Sequence, residues 1–282
     1  MLSTRELVNQ FNDMKTLPHV AIRLTKMIGS ESTTMQDFEE VIKLDPVLVM
    51  RLLKLVNSPF FGLSKKVDSI AKAVVFIGMK NLRNLVAVEA IRDLYKNTNE
   101  EQGFSRQRLW LHSATVAILA QMIGHRIFGL DNENIFLAGI VHDFGLIVED
   151  QLVSEELRQV CGKVGQEGKN LIETENELIG TDHSKVGSLL CREWNLPEEI
   201  LQAIKFHHRS DRENPIPDVT SILQLAEYLA GKMKYGALQG HMNPLPAYLV
   251  PHVKDMMSEY KILVKTFPAE MAKAKDLYGS EA

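Results

Sequence analysis

A chain of 282 residues that is 45% hydrophobic can fill the core of one large domain or of two modest ones. Its net charge of -4 supplies no basic field to draw it to nucleic acid or to an anionic membrane, so neither is expected as a partner. The two cysteines, Cys161 and Cys191, lack metal-type or redox-type spacing and fit a reducing compartment, and the first fifteen residues contain no apolar run of the export type. No segment reaches the ~18 uninterrupted apolar residues of a membrane span, and a cytoplasmic location is expected.

Ser3 followed by Glu6 makes a capping box that opens a first helix. In QDFEEVIKLDPVLVMRLLKLVN the residues Phe38, Val41, Ile42, Val47, Leu48, Leu52, Leu55 and Val56 recur at helical spacing, interrupted where Pro46 begins a new helix. Asn57-Ser58-Pro59 stops that helix, since an asparagine side chain bonds readily to nearby backbone. The aromatic pair Phe60-Phe61 is expected either to sit in the local core or to pack across onto the second half of the chain. Lys65, Lys66, Lys72, Lys80 and Arg83 have no interleaved aromatics and read as solvated surface. Ser69 caps the run IAKAVVFIG, which Gly78 can end.

The polar stretch KNTNEEQGFS, 96–105, has no apolar period and marks a junction. Beyond it, helical periodicity covers 106–128, 133–148, 151–168, 184–194, 197–206, 218–233 and 247–273, with polar loops at 207–218 and 239–246. Alternating strand patterns with hairpin turns are absent. The expectation is an all-α protein, with an N-terminal helical bundle (1–98) packed on a second helical bundle (99–236) and a C-terminal helical extension (237–282).

Two metal ions bridged by a carboxylate need five to seven N and O ligands, roughly, converging from several elements, and helical bundles supply them from different members. Such a set exists here. His112 lies in the first turns of one helix, His142-Asp143 falls within a helix beginning near Asn132, His183 opens a third, and His207-His208 closes a fourth. Glu227 sits among Leu225, Ala226, Tyr228 and Leu229, where an unpaired carboxylate would cost several kcal/mol or take up a proton, so something must satisfy it.

These residues, in this order, resemble the HD superfamily of metal-dependent phosphohydrolases, including its HD-GYP branch. The segments LPHVAIRL, IKLDPVLVMRLLKLVNSPFFG, SIAKAVVFIGMKNLRNL, FLAGIVHDFG, IGTDHSKVGSLLCREWNLPEEILQAIKFHH and LAEYLA are more similar to a sister family, the HDOD domain of bacterial signalling proteins. That resemblance spans about residues 15 to 235. It implies an HD-like helical architecture for the second bundle and a signalling or protein-interaction role, with a protein partner or a small-molecule or nucleotide ligand. Carried over by position, His112, His142, Asp143, His183, His207 and His208 match metal-ligand positions of the related hydrolases, with Asp143 as bridge and as the catalytic centre if the chain is an enzyme; Glu227 stands where the superfamily has its last aspartate and can still ligate Fe or Mn, reaching one methylene further. A divalent metal is implied, Fe or Mn ahead of Zn or Mg, in a two-ion arrangement.

Two departures weigh against hydrolysis. The hydrolase motif HDxGK has its lysine replaced by Leu146, which removes the cation that would steady phosphate charge. HHRSDRENP stands where the GYP signature would follow. The leading reading is therefore a bacterial regulatory module with an HD-type pocket; the alternative is a phosphohydrolase for a phosphoester or cyclic dinucleotide, using a metal-activated water.

Each residue also has an ordinary explanation. His112 fits a satisfied core histidine, His142-Asp143 a dry hydrogen-bonded pair joining two helices, and His183 a solvated helix start capped by Thr181 or Asp182. His207-His208 would complement a helix dipole as imidazolium, and ligation by both needs a distorted helix end. His19, His125, His241 and His252 read as surface or capping residues, Trp194 as a core plug, and Arg209 and Arg212 as solvated loop residues or phosphate contacts.

Overall fold

The computed structural model describes residues 2–13, 27, 34–43, 46–59, 61–95, 103–167, 169–210 and 214–273. Its elements are α1 (Thr4–Asp13), α2 (Met35–Lys43), α3 (Pro46–Val56), α4 (Ile70–Arg92), a 3-10 turn (Asp93–Tyr95), α5 (Arg106–Phe128), α6 (Glu133–Val141), α7 (Phe144–Leu152) and α8 (Ser154–Glu167). They continue with α9 (Leu171–Leu178), α10 (His183–Glu193), α11 (Glu198–Phe206), α12 (Val219–Lys232), a 3-10 turn (Ala247–Leu249), α13 (Val250–Asp255) and α14 (Met257–Lys273). Among the described residues there is no sheet, so the all-α expectation holds. No helix is long and apolar enough to cross a membrane.

Local chemistry sets the boundaries. Glu6 accepts from the backbone and hydroxyl of Ser3 at 2.8 and 2.7 Å, closing the capping box. Pro46 is the first residue of α3, where its missing N–H costs nothing. The Asn57 side chain donates to the Leu53 and Val67 carbonyls and accepts from Val67 N–H, tying the end of α3 to the strap that leads into α4. Ser69 caps α4, and Gly78, at φ 78°, breaks that helix internally. Phe61 packs half-buried against the core, whereas Phe60 lies outside the described residues.

The centre of the C-terminal half is α5, buried on every side from His112 to Ala120, as a helix surrounded by others must be. Around it stand α6, α12 and α14, with α7, α10 and α11 completing the bundle; α4 packs on α6, and α1 docks on α7 and α10. A buried cluster of rings ties these together. Phe144 lies 6.0 Å from Phe11, 5.3 Å from Trp194 and 6.1 Å from Tyr95, which makes Trp194 the expected core plug.

Two glycines bring the backbones close enough to form a site. A Cβ on Gly139 would overlap the Ala117 backbone, so α6 crosses α5 in direct contact. One on Gly145 would overlap the His183 carbonyl, so the start of α7 abuts the start of α10. These crossings place residues 142–143 between His112 and His183.

The periodic stretch 133–148 is not one helix. It stops at Val141 and restarts at Phe144, with Asp143 at φ −98°, ψ 12°, so His142-Asp143 forms the bend rather than lying within a helix. The short, polar α9 left no readable period, having only Leu171, Ile172 and Leu178 as strongly apolar residues. The C-terminal run 247–273 is broken at Met256 into α13 and α14.

Candidate metal centre

The pairs His142-Asp143 and His207-His208 each follow a helix end, and both use the same local device. His142 Nδ1 donates to the Gly139 carbonyl at 2.8 Å, and His207 Nδ1 donates to the Ile204 carbonyl at 2.6 Å. Each imidazole thus satisfies a carbonyl that the ending helix leaves without a partner. Chain direction changes there, so both members of each doublet turn inward. At residues 207 and 208 this is the helix-end distortion that double ligation requires, with the two ring centroids 4.0 Å apart.

The other three imidazoles are held through Nδ1 as well. His112 donates to the Tyr235 carbonyl at 2.6 Å, His183 to the Glu175 carboxylate at 2.8 Å, and His208 to Asn243 Oδ1 at 3.0 Å. Since carbonyls and carboxylates only accept, all five rings carry hydrogen on Nδ1, and in the neutral form all five Nε2 atoms present bare lone pairs.

Those lone pairs face each other. His112 Nε2 and His142 Nε2 lie 3.2 Å apart, and His183 Nε2 and His208 Nε2 lie 3.0 Å apart. Glu227 Oε1 stands 2.9 and 2.8 Å from the first pair. Asp143 divides between the two: Oδ2 is 3.3 Å from His112 and His142, while Oδ1 is 3.3 Å from His183 and His207. The donors therefore form two groups, His112–His142–Asp143–Glu227 and Asp143–His183–His207–His208, each with ligand atoms within 4.8 Å of one another. Asp143 belongs to both.

Despite these short distances, Asp143 Oδ1, His207 Nε2 and Glu227 Oε1 are buried and have no hydrogen-bond partner. Buried polar atoms without partners are rare in folded proteins and costly, and here all three point at the shared centre. A cation satisfies them together; imidazole nitrogen and carboxylate oxygen without thiolate is a donor set for a divalent metal, and the residues present fit one.

Electrostatics point the same way. Burial opposes charge on His112, His142 and His183, yet nearby carboxylates outweigh it: Glu227 and Asp143 lift His112 well above the usual imidazole range and His142 to about 9, and Glu175 and Asp143 lift His183. Burial likewise opposes ionisation of Asp143 and Glu227, but the surrounding imidazoles hold both well below ordinary carboxylates. Burial, with neighbouring rings, pushes His208 down, and burial lowers His207. Burial and the neighbouring rings thus disfavour charge on the 207–208 doublet, against the reading of it as an imidazolium on a helix dipole. His183 is fully buried, not a solvated helix start; Asp182 supplies the cap, accepting from Lys185 N–H at 3.0 Å.

All seven residues singled out in the sequence converge, while several that complete the site were not anticipated. Glu175 is fully buried behind His183, and Glu149 is buried beyond it; burial and the neighbouring Glu175 raise the Glu149 carboxyl well above its ordinary value. Asn243 comes from the 239–246 loop, read only as a connector, and the Tyr235 carbonyl from the segment just before it. His241 is not a plain surface residue: it lines a cavity with His112, His208, Glu227 and Asn243. That cavity leaves about 20 Å³, room on the scale of one water. His125 is exposed, and His252 stacks on Phe128 at 4.9 Å. Arg209 is exposed, and His19 and Arg212 lie outside the described residues. Leu146 is fully buried in core, and the exposed side chains of Lys65, Lys66 and Lys72 are surface as expected.

Comparison with known proteins decides the family, because the HDOD domain model matches residues 14–210. The chain belongs to the HDOD domain family. An uncharacterized protein of Treponema pallidum is 26% identical over 208 residues, which cover 72% of this chain and 39% of that protein; the HDOD chain thus spans well under half of that relative. Among solved structures, an HDOD domain protein of unknown function from Geobacter sulfurreducens superposes with a TM-score of 0.65 at 24% identity, covering 93% of this chain and 97% of that one. A Shewanella amazonensis protein named "putative phosphohydrolase" gives 0.69 at 23% identity, covering 96% and 95%. At these identities the likeness is one of HDOD fold.

Proposed function

We propose that this HDOD protein is a regulatory module of a bacterial signalling system, built around a two-ion centre. The observation that carries this reading is Asp143, whose two oxygens face separate groups of donors and leave one of them buried without a partner. His112, His142 and Glu227 would hold one ion, His183, His207 and His208 the other, and Asp143 both. Imidazole and carboxylate donors without sulfur suit Fe or Mn. Bound ions of this kind supply Lewis acidity and lower the pKa of coordinated water. Glu175 orients His183 and raises its basicity, and the Tyr235–Asn243 loop excludes bulk solvent.

A regulatory role is favoured over hydrolysis by the same geometry. Space of about 20 Å³ beside the cluster does not admit a phosphodiester, and Leu146 is buried where a hydrolase of the HD superfamily would offer a lysine. The module would report its metal state, or a small ligand at the centre, to a signalling partner; neither nucleic acid nor membrane is called for. The completeness of the donor set favours a second reading, a phosphohydrolase whose loop must first move away. Metal-reconstituted protein assayed against cyclic dinucleotides and bis(p-nitrophenyl) phosphate separates them. Bound metal without turnover is the expected result, and turnover abolished by Asp143→Ala would establish the hydrolase instead.

A further inference from the structure

The HDOD match ends at residue 210, yet the cluster is closed by groups that come later: the Glu227 carboxylate, the Tyr235 carbonyl and the Asn243 side chain. Asn243 touches both halves of the centre. Its Nδ2 donates to Glu227 Oε2 at 2.8 Å, while its Oδ1 accepts from His208 Nδ1 at 3.0 Å and from His241 Nε2 at 3.1 Å. Only one orientation of the amide is allowed, because a carboxylate accepts and cannot donate, which puts Nδ2 against Glu227 and Oδ1 against the two rings.

We propose that Asn243 is a positioning residue of the metal centre, holding one ligand in each half, His208 and Glu227, in its metal-facing state. The inference rests on the two-ion reading above. With Oδ1 engaged, His208 must carry hydrogen on Nδ1, which keeps Nε2 free and directed at His183 Nε2, 3.0 Å away. The other tautomer would aim a hydrogen into the centre and remove a ligand. With Oε2 engaged, Glu227 is left to present Oε1 to His112 and His142. Asp143 joins the two groups at their centre, and Asn243 joins them from outside.

The loop is shaped to deliver this amide. Lys234 turns the chain at φ 66°, and a glycine on each side of it, Gly231 and Gly236, packs closely against the returning segment. A Cβ on Gly231 would come within 2.6 Å of Met242 Cγ, and one on Gly236 within 3.0 Å of the His241 carbonyl. His241 and Met242 are the two residues that lead into Asn243, and all three line the cavity beside the cluster.

The test uses the full chain, stripped of metal and labelled with 15N-histidine, together with Asn243→Ala and Asn243→Asp. Long-range 1H–15N spectra read the His208 tautomer without metal, and Mn2+ titration reads affinity and stoichiometry. Wild type is expected to show Nδ1–H at His208. Asn243→Ala should lose that preference and weaken Mn2+ binding by about 10- to 100-fold, the usual effect of removing a group that orients a ligand. Asn243→Asp keeps an acceptor for His208 but sets a carboxylate against Glu227, so it should keep the tautomer and lose the Glu227 half, binding one ion in place of two. A residue that only holds the fold would move both variants alike. Asn243→Ala with an unchanged tautomer and Mn2+ affinity within twofold of wild type overturns the proposal, and Asn243→Ser replaces it if the alanine variant does not fold. If wild type binds no Mn2+, the two-ion reading fails separately, and the tautomer still decides what Asn243 does.

Discussion

Replacing Asp143 by asparagine keeps the side-chain shape and removes the one group that both halves of the centre share. An asparagine offers a single acceptor oxygen, and its amide nitrogen donates, so it cannot serve Oδ1 and Oδ2 roles at once. In wild type those two oxygens stand 3.3 Å from separate imidazole pairs. An ion held at 100 times its dissociation constant stabilises the folded chain by about 2.7 kcal/mol. For a chain of this length that is about 5 °C per ion and about 10 °C for two. Calorimetry of metal-free protein with and without Mn2+ should show about 10 °C for wild type, about 5 °C for Glu227→Gln, which touches one half, and less than ~2 °C for Asp143→Asn. Each variant serves as its own metal-free baseline. A shift in Asp143→Asn equal to that of wild type, or equal to that of Glu227→Gln, would refute the shared carboxylate.

Metal affinity should rise with pH. His112 and His183 hold protons well above the usual imidazole range and His142 to about 9, so protons compete with the ion until they are displaced; calorimetric titration at pH 6, 7 and 8 should show Mn2+ binding tighten at each step and release protons. Glu149→Gln should change the pH dependence of the metal-free chain. The folded pKa of Glu149 is raised above 4.5 by burial and by Glu175, so its contribution is intact below that value and is lost as pH rises toward the folded pKa, at up to about 1.4 kcal/mol per pH unit. Urea unfolding should therefore show the glutamine variant gaining on wild type between pH 5 and pH 8, and parallel profiles would count against it. Gly145→Ala should cost more than about 3 kcal/mol and disturb metal binding through His183, whose carbonyl the new methyl would strike; a change under ~1 kcal/mol in the same unfolding assay would show that α7 and α10 can part without harm.

Residue types and their order carried the fold and the ligand set, and local breaks carried the geometry. The run from His112 to Ala120 is buried all round, which marks α5 as central only once its neighbours are in place. His142-Asp143 looked like part of a helix because Ile140, Val141, Phe144 and Leu146 keep an apolar period across it. The bend arises from an imidazole bonding three residues back to Gly139, an interaction that leaves no trace in periodicity. His207 repeats it with Ile204, and the same device brings both members of that doublet inward. Glu175 was missed because α9 is short and polar, and its burial depends on His183 arriving eight residues later. Asn243 was missed because a residue in an Asn-Pro turn reads as a loop marker, and nothing local indicates that the turn folds back over Glu227. Burial of Leu146 changed the meaning of a missing lysine: that position faces core, so the difference from the HDxGK motif is one of packing as well as of charge.

Elemental analysis of the full chain, reconstituted anaerobically with Fe2+ or Mn2+ at pH 8 and freed of excess ion, bears most directly on the two-ion centre. Asp143 shared between two complete donor groups predicts two equivalents of metal, both lost in Asp143→Asn. One equivalent, or none, in a chain that remains folded would contradict it.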